Sequence, residues 1–275
     1  METKQCLIVG LPDAGKSTYI GAFWAIEKDG KTNHKLTCIE YPNDTSYLDA
    51  LKSHWLHQQI VSRTPLIAPE EISLKLHSND LNENLELHIP DFKGELFQNV
   101  LINNVSKKLL EWLEKAECVL YFLQKTDSDI FEEEIHNKTK DEDKANFDKR
   151  IMQVTDMSYW IKNIMLLKYL SRKKGNDIKI TICISSWDKV IDGDAKSVEE
   201  WVQTNEPFFY LFVKNHFKKV KFYGISAQGL DYDKRSDTKT FDAVQELTDK
   251  GQRAYVYTTK KSYDITEPLA SLLHD

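Results

Sequence analysis

Short apolar runs alternate with longer segments of helical character along most of the chain. The short runs predict strands, because strands of globular proteins are roughly four to eight residues long and rich in Val, Ile, Leu, Tyr and Phe. Strands are predicted at 5–10, 35–41, 71–77, 84–90, 117–123, 178–185 and 219–225. Helices are predicted at about 15–28, 45–59, 96–115, 151–173, 197–217 and 265–273. This alternation predicts an α/β fold, with a mostly parallel sheet and helices on both faces.

Two of these strands differ from the others because apolar and polar residues alternate strictly in them. They lie at 71–77 and 84–90, close enough in sequence to predict an antiparallel hairpin at one edge of the sheet. No domain boundary is evident, so residues 1–275 are predicted to form a single domain. Two segments lie outside the regular pattern: a strongly charged insertion at about 125–150 and a C-terminal extension at about 230–275. The charged insertion is interpreted as a solvated loop or a segment that docks a partner.

Composition excludes several classes of protein. Hydrophobic residues make up 41% of the chain and charged residues 29%, which is typical of a folded protein rather than a disordered one. Lys and Arg number 37 against 43 Asp and Glu, so a net charge of −6 gives no signal for nucleic-acid binding. No apolar run approaches the roughly 18 residues of a membrane span. The cysteines lie in strand-like runs without a Cys-x-x-Cys pair, which predicts reduced core thiols and a cytoplasmic location. They are Cys6, Cys38, Cys118 and Cys183.

The strongest motif follows the first predicted strand and opens the first predicted helix. Gly10-Leu-Pro-Asp-Ala-Gly15-Lys16-Ser17 matches the phosphate-loop pattern G-x-x-x-x-G-K-[ST] in full. Its glycines let backbone N–H groups turn around phosphate oxygens, and the helix N-terminus adds favourable partial charge. Lys16 is expected to contact the β- and γ-phosphates and to contribute to catalysis, while the Ser17 hydroxyl ligates Mg²⁺. The predicted nucleotide contacts in this loop are Asp13, Ala14, Gly15, Lys16, Ser17 and Thr18.

A second candidate motif ends the second strand of the predicted hairpin. Asp91 and Gly94 in Ile89-Pro-Asp91-Phe-Lys-Gly94 form a D-x-x-G pattern. An Asp at this place can hold Mg²⁺ through water, and the Gly94 backbone N–H can contact the γ-phosphate. The alternative is an ordinary Asp-Gly turn.

A third motif favours guanine over other bases. Ile184-Ser-Ser186-Trp187-Asp188-Lys189 ends the strand at 178–185, where guanine-specific phosphate-loop proteins have N-K-x-D. Asp188 stands at the place of the Asp that accepts hydrogen bonds from N1 and N2 of guanine, which adenine does not offer. Ser186 replaces the Lys that stacks on the base, so guanine preference depends on Asp188, with Ser186 and Lys189 as neighbouring contacts. Asp188 could instead be a turn or helix cap.

A fourth segment ends the strand at 219–225. Ser226, Ala227 and Gln228 lie 38 to 40 residues after Asp188. They are similar to the S-A-[KL] motif, in which the backbone N–H of Ala contacts O6 of guanine. The pattern is short, and its position after a strand makes it informative.

Taken in order, these motifs resemble those of the translation-factor and Ras-like (TRAFAC) class of phosphate-loop GTPases over about residues 5–230. The segments Gly-Leu-Pro-Asp-Ala-Gly-Lys-Ser-Thr, Asp-Phe-Lys-Gly-Glu and Ser-Ser-Trp-Asp are similar to those of the bacterial double-GTPase families found in conflict and defence loci. The resemblance implies a Ras-like fold and a GTP-driven switch that uses Mg²⁺, cycles between GTP and GDP, and works with protein partners in antiviral defence. The oligomeric state and the partner stay open.

A γ-phosphate sensor in such a protein supplies a Thr to Mg²⁺ from the loop before the hairpin. Thr64 lies 27 residues before Asp91, just upstream of the first hairpin strand. Thr45 lies 46 residues before Asp91 and is better placed as a helix cap. Thr64 is therefore the predicted metal ligand together with Ser17 and Asp91. Its neighbour Arg63 can act in cis on the γ-phosphate, or it can be a solvated loop residue.

Glu95 follows Gly94 at the place where Ras-like enzymes commonly have a Gln that orients water. A carboxylate there could accept a proton from water, but its charge would repel the phosphate, so hydrolysis without a partner is expected to be slow. Glu95 could also be an acidic residue at the start of the next helix.

Three functions stay open at this stage. The favoured one is a GTP-hydrolysing switch, in which GTP orders the residues around Thr64 and Gly94. The second is a non-hydrolysing nucleotide-binding interaction module, for which Glu95 would signal lost catalysis. The third is an ATP-dependent phosphate-loop kinase or ATPase, which Asp188 and the Ser226-Ala227 pair disfavour.

The position of Arg63 generates a first prediction. The Arg63→Ala substitution is expected to lower turnover much more than it lowers GTP affinity, because a guanidinium meets charge that develops only as the γ-phosphoryl group leaves. Thr64→Ala should impair Mg²⁺-dependent ordering of the GTP state while GDP binding stays nearly intact. Single-turnover hydrolysis measures the first effect, and a wild-type rate in Arg63→Ala would refute the cis-arginine hypothesis.

Overall fold

The computed structural model describes residues 3–29, 34–58, 71–90, 95–124, 158–190, 196–229 and 252–274. The charged insertion predicted at 125–150 lies outside these ranges. So does the part of the predicted C-terminal extension at 230–251, together with the segments 59–70 and 91–94 that follow the second helix and the hairpin.

The described strands form one sheet. They are β1 (Thr3–Val9), β2 (Leu36–Glu40), β3 (Ile72–Ser78), β4 (Glu83–Ile89), β5 (Cys118–Gln124), β6 (Lys179–Ser185), β7 (Lys219–Ser226), β8 (Tyr255–Tyr257) and β9 (Lys261–Ser262). Their order in the sheet is β2-β3-β4-β1-β5-β6-β7-β8-β9. The five central strands from β4 to β7 are parallel, and β3 pairs antiparallel with β4 as the alternating pattern predicts. The fold class is therefore confirmed. In addition, β8 and β9 form a second antiparallel edge beyond β7 that the sequence did not predict.

The described helices lie between these strands. They are α1 (Lys16–Asp29), α2 (Ser46–Leu56), α3 (Glu95–Leu101), α4 (Lys107–Lys115), α5 (Tyr159–Lys174), α6 (Val198–Asn205), α7 (Pro207–His216) and α8 (Glu267–Ala270). A short 3₁₀ turn covers Trp187–Lys189 after β6.

Two long helices predicted from the sequence are each broken in two. The helix predicted at 96–115 stops at Leu101, because Asn103 takes a left-handed conformation (φ 57°) and the Ser106 hydroxyl caps the next helix by accepting from Leu109 N at 3.1 Å. The helix predicted at 197–217 is interrupted before Pro207, which begins the second piece as its first residue. The last predicted helix, 265–273, shortens to one turn of four residues with further turns after it.

Helices cover both faces of the sheet, as the apolar strand runs predict. One core lies between the sheet and α1, α2 and the segment 254–273, and it includes the fully buried Trp24 and Trp55. The other core lies under α3 to α7 and includes Tyr121 and Phe209. Because the parallel strands are buried on both faces, their apolar runs are nearly continuous.

Three lysines fasten the end of the C-terminal segment to the sheet. Lys4 of β1, Lys179 of β6 and Lys221 of β7 donate to backbone carbonyls of this segment at 2.9–3.2 Å. The acceptors are the carbonyl oxygens of Ser271, Leu273 and His274. Carbonyls at the end of a helix lack partners inside it, so cations placed there complete the hydrogen bonding. The segment is thus tied to three strands of the sheet.

The free edge of β2 is closed by side chains rather than by another strand. The Leu36 N–H donates to the Thr266 hydroxyl at 3.2 Å, and the Cys38 N–H donates to the Glu27 carboxylate at 2.7 Å. Just before the strand, the Lys35 N–H donates to Asp264 at 2.8 Å. These contacts use N–H groups that an edge strand would otherwise leave unpaired.

Two further expectations concern the membrane and the thiols. Within the described residues, no helix combines the length and apolar character that crossing a bilayer requires. All four cysteine thiols are free, and three are buried, while Cys38 on the edge strand is partly exposed.

The 3₁₀ turn after β6 is held by the packing of Trp187. A methyl group built on Gly224 of β7 would lie 2.2 Å from the indole of Trp187, so the ring lies directly on the backbone of that strand. The ring also stacks on Tyr257 of β8, with centroids 5.9 Å apart, and meets Trp201 edge to face at 5.6 Å. This packing fixes Asp188, the neighbour of Trp187, relative to β7.

This packing generates a stability prediction. Gly224→Ala should lower the free energy of unfolding by about 2–3 kcal/mol, because the buried Trp187 ring has to move to admit the methyl group. Thermal unfolding should shift down by roughly 5–10 °C for a chain of this size.

The control is a double-mutant cycle with Trp187→Leu, which removes the ring that the new methyl group would meet. Gly224→Ala should lower the free energy of unfolding clearly less in the Trp187→Leu background than in the wild-type chain. If Gly224→Ala lowers the free energy of unfolding equally in both backgrounds, the contact with Trp187 does not restrict the size of the side chain at position 224.

Candidate functional site

The candidate site lies where the parallel strands end. β1, β6 and β7 run in the same direction, so the loops that follow them emerge at one edge of the sheet. Crevices at the carboxyl ends of parallel strands are the usual ligand sites of open α/β sheets. The phosphate loop follows β1, the Asp188 segment follows β6, and the Ser226 segment follows β7.

The phosphate loop depends on glycine at two points. A methyl group on Gly10 would lie 2.9 Å from the carbonyl oxygen of Phe122 in β5. Gly15 has a φ of 90°, and a methyl group there would lie 2.7 Å from the Ser185 side chain. Asp13, which is exposed, also has a positive φ of 61°. Left-handed residues such as these turn successive N–H groups towards one side, which is the geometry that receives an anion.

Lys16 is the first residue of α1 and is almost completely buried, with 2% of its surface exposed. Its ammonium group donates to the carbonyl oxygens of Gly10 at 2.8 Å and Leu11 at 2.9 Å. The loop therefore wraps a buried positive charge. A buried cation needs partners with partial or full negative charge, which carbonyl oxygens supply here and phosphate oxygens can supply in a complex.

The other predicted contacts of this loop lie beside Lys16. Ala14 is buried and its N–H approaches the Leu11 carbonyl at 3.3 Å, while Ser17 and Thr18 are half-buried in the first turn of α1. The hydroxyl of Ser17 is thus near the positive end of the helix. A hydroxyl oxygen is a hard ligand of the kind that Mg²⁺ takes together with phosphate oxygens.

A buried tyrosine lies at the end of β5, the strand next to β1. The hydroxyl of Tyr159 in α5 accepts a hydrogen bond from Gln124 N at 2.8 Å, at the end of β5. Burial raises the pKa of Tyr159 to about 12, and the negative charge of Asp13 acts in the same direction. The hydroxyl therefore stays protonated and neutral at the end of β5.

Ser185 brings the phosphate loop into contact with the end of β6. It is the last residue of β6, is 7% exposed, and lies against the Cα of Gly15. Its hydroxyl has no hydrogen-bond partner among the described residues. A larger side chain at either position would push the phosphate loop and the end of β6 apart, so the pair Gly15 and Ser185 sets their separation.

The Asp188 segment turns sharply after this contact. Ser186 has a left-handed conformation (φ 57°, ψ 38°), and Lys189 N donates to the Ser186 carbonyl at 3.0 Å. Asp188 is half-buried and Lys189 is exposed. With Trp187 held by β7, the Asp188 carboxylate remains partly accessible at the edge where the phosphate loop ends.

The Ser226 segment is fixed by hydrogen bonds of its own. Ser226 is fully buried, and its hydroxyl accepts from Gly229 N at 3.1 Å. The carbonyl of Ala227 accepts from the indole N–H of Trp55 in α2 at 2.6 Å. Ala227 and Gln228 are half-buried beside them.

The structure therefore brings together part of the predicted site and leaves the rest undescribed. Arg63, Thr64, Asp91 and Gly94 lie outside the described residues, and so does the side chain of Glu95. The backbone of Glu95 begins α3, and β4, the strand that Asp91 follows, lies next to β1. Thr45 precedes α2 as expected, but its hydroxyl donates to Asp49 at 2.8 Å instead of capping the helix backbone.

Two supports of the site escaped the sequence analysis. The indole of Trp55 reaches Ala227 across 172 positions of sequence, and Ser185 lies against Gly15 of the phosphate loop. Neither has a local pattern that identifies it. The Trp187–Lys189 turn and its contact with Gly224 likewise depend on packing across strands.

Solved structures of three GTP-related proteins are similar to this chain at low sequence identity. A bacterial selenocysteine-specific elongation factor, EF-Sec, is 14% identical, with 90% of this chain and 30% of that chain covered and a TM-score of 0.40. The GTPase-like domain of Ski7 from S. cerevisiae, bound to GDP and inorganic phosphate, is 17% identical over 82% of this chain and 43% of that chain, with a TM-score of 0.41. Roco2 RocCORdC from Methanosarcina barkeri, bound to GDP, is 12% identical over 89% of this chain and 50% of that chain, with a TM-score of 0.34. The chain spans between 30% and 50% of the length of these proteins.

Sequence comparison with protein families is more decisive than these structural likenesses. No curated protein is detectably similar to the chain. A family model described as Double-GTPase 1, however, matches residues 7–272, from the first strand to the last turn. This match confirms the resemblance that the motifs suggested. Because it covers nearly the whole chain, the chain belongs to the Double-GTPase 1 family.

Proposed function

We propose that this chain binds GTP with Mg²⁺ and hydrolyses it as a molecular switch, slowly when no partner is present. The observation that carries the proposal is the contact between the phosphate loop and the loops that follow β6 and β7, at one edge of the sheet. Gly15 lies against Ser185, and Trp187, the neighbour of Asp188, lies against Gly224 in the strand that ends at Ser226. Membership of a GTPase family supports the same class of substrate.

At the phosphate end, this chain contributes backbone donors and one buried cation. The N–H groups from Asp13 to Thr18 surround the start of α1, where the helix dipole favours negative charge. Lys16 already carries its charge inside the loop, bound to two carbonyl oxygens. We propose that the β- and γ-phosphates replace or join these oxygens as partners of the ammonium group.

The residues present fit a magnesium ion. Ser17 would hold it through its hydroxyl oxygen, with Thr64 and Asp91 as further ligands from segments outside the described residues. Bound Mg²⁺ would neutralise charge on the β- and γ-phosphate oxygens. In the described part of the chain no cluster of three or more His, Cys, Asp or Glu side chains could bind a metal.

At the base end, we propose that Asp188 accepts the N1 and N2 hydrogens of guanine and that the Ala227 N–H donates to O6. Ser186, Lys189, Ser226 and Gln228 would line the base beside them. The partial exposure of Asp188 supports this role, since a carboxylate that reads a base needs an open side.

The hydrolytic step is assigned to residues outside the described part of the structure. Thr64 and Gly94 would sense the γ-phosphate, Arg63 would stabilise the charge of the transition state, and Glu95 would face the attacking water. A switch follows if GTP orders these segments and hydrolysis releases them. A role with protein partners in bacterial antiviral defence, a cytoplasmic location and a single-domain organisation belong to the same proposal.

The phosphate end is tested with Lys16→Ala. GTP affinity should fall by about 100-fold or more, because charge-assisted contacts to two phosphate groups are lost in a site whose other donors are neutral. Calorimetry with Mg²⁺ measures the affinity, and phosphate release measures turnover in the same preparations.

Lys28→Ala is the matched control, since Lys28 lies at the other end of α1 with its ammonium 3.9 Å from the ring centre of Tyr41. It should keep wild-type GTP binding. If Lys16→Ala binds GTP as tightly as the wild type, the phosphate-loop assignment is wrong.

Tight GTP binding by the wild type without phosphate release would instead favour the non-hydrolysing module, and equal competition by ATP would favour the kinase or ATPase alternative.

The base end is tested with Asp188→Asn. GTP affinity should fall by about 1–3 kcal/mol, because an amide accepts only one of the two guanine N–H groups well. Xanthosine triphosphate should regain affinity, since its ring oxygen can pair with the amide N–H. Asp177→Asn, an exposed carboxylate just before the same strand, is the control and should change neither affinity. An unchanged ratio of GTP to xanthosine triphosphate affinity in Asp188→Asn would exclude Asp188 as the base reader.

A further inference from the structure

The loop assigned to O6 of the base is held from outside the predicted site. Its central carbonyl, that of Ala227, receives the indole N–H of Trp55 at 2.6 Å. Trp55 lies in the last turn of α2 and is 2% exposed. A buried N–H···O bond of this length restrains the peptide between Ala227 and Gln228. It thereby limits the rotation of the Ala227 backbone, which sets the direction of the N–H on the preceding peptide.

Arg253 holds Trp55 in turn. Its guanidinium lies over the Trp55 ring, 3.7 Å from the ring centre, and donates a hydrogen bond to the Trp55 carbonyl. Arg253 is itself 6% exposed. The guanidinium therefore fixes both the plane of the indole and the end of α2, where helix carbonyls lack partners inside the helix.

The backbone at Arg253 also meets the loop directly. A methyl group on Gly229, whose φ is 80°, would lie 2.6 Å from the Arg253 carbonyl oxygen. Two residues further on, Tyr255 pairs with Ser226 as β8 joins the sheet. The segment from Ser226 to Gly229 is thus enclosed by Trp55 on one side and by the Arg253 backbone on another.

We propose that Trp55, held by Arg253, is a positioning residue that sets the Ala227 N–H for recognition of the 6-oxo group of a purine nucleotide. The inference rests on the proposed function, because it assigns a role within the base pocket. Without the indole donor, the Ala227 carbonyl would lose its partner and the loop would lose the contact that orients its peptides. The consequence is specific to the oxygen at position 6 of the base and leaves recognition by Asp188 unchanged.

Trp55→Phe tests the proposal, since it removes the N–H donor and keeps an aromatic ring under Arg253. Affinities are measured for GTP, for 6-thioguanosine triphosphate and for inosine triphosphate, with Mg²⁺ present. The thio analogue keeps the N1 and N2 hydrogens and has sulfur, a weaker acceptor, in place of O6. Inosine triphosphate keeps O6 and lacks the N2 amino group.

We expect the wild type to prefer GTP over the thio analogue. In Trp55→Phe this preference should fall by about 5-fold, the value of one ordinary hydrogen bond. The preference for GTP over inosine triphosphate should stay at its wild-type value, because it depends on Asp188. A general loss of stability would lower the affinities for all three nucleotides together and would leave both affinity ratios unchanged.

Trp24→Phe is the matched control. Trp24 is a fully buried tryptophan of α1 whose indole N–H donates to Asp49 of α2 at 2.8 Å, so Trp24→Phe removes the same kind of buried donor at the α1–α2 interface instead of at Ala227. It does not touch the Ala227 loop and should keep the wild-type preference. If Trp55→Phe fails to fold, Arg253→Lys gives the same readout, because it keeps the charge and removes the planar group over the indole.

An unchanged GTP to 6-thioguanosine triphosphate ratio in the folded variant overturns the positioning role. An equal fall of the ratio in Trp24→Phe also overturns it, since the effect would then come from the helix interface in general. Failure of the wild type to bind GTP at all would instead contradict the proposed function. The two failures are therefore distinguished by the wild-type titration.

Discussion

The phosphate loop and the end of β6 meet with no room for a side chain between them. Gly15 has no Cβ. A methyl group built on it would lie 2.7 Å from the side chain of Ser185, which is too close for a side chain to fit. Everything else at this edge depends on that contact, because it fixes the distance between the loop that surrounds Lys16 and the segment that carries Asp188. A site that has to hold a phosphate group at one end and a base at the other requires such a fixed separation. The contact is made by two small residues, and it is therefore sensitive to any increase in their size.

The C-terminal part of the chain acts as a frame for the same edge. Tyr257 of its strand β8 lies on Trp187, the neighbour of Asp188. Arg253, two residues before β8, lies on Trp55, which bonds Ala227. Further along, three lysines from three strands bind the last turns of the segment. The loops that follow β6 and β7 are thus supported by one stretch of chain that carries none of the four motifs. Rigid support of this kind is what keeps loop residues in a defined geometry.

The sequence predicts those parts of the molecule that depend on local patterns. Buried strands, the first helix and the phosphate loop follow from apolar runs and from a motif whose residues are consecutive, so their positions agree with the structure to within about two residues. The break at Pro207 carries a local signal, because proline favours the first turn of a helix and disrupts a helix interior. The break at Asn103 depends on a left-handed conformation that apolar periodicity does not predict. The partners Trp55 and Arg253 are 198 positions apart and share no pattern, so only packing identifies them. The roles of Arg63, Thr64, Asp91, Gly94 and Glu95 stay predictions, since their geometry is outside the described residues.

The closed edge of β2 has a consequence for how other proteins can approach this one. Partner chains often bind an exposed sheet edge by adding a strand, and they then read backbone N–H and carbonyl groups with little regard to side chains. Here Glu27 and Thr266 already occupy the outward N–H groups of Cys38 and Leu36. A chain that adds a strand at this edge therefore meets side chains in place of these two N–H groups. The same arrangement hinders strand-by-strand association between copies of the chain, so self-association through this edge would first have to displace a carboxylate and a hydroxyl.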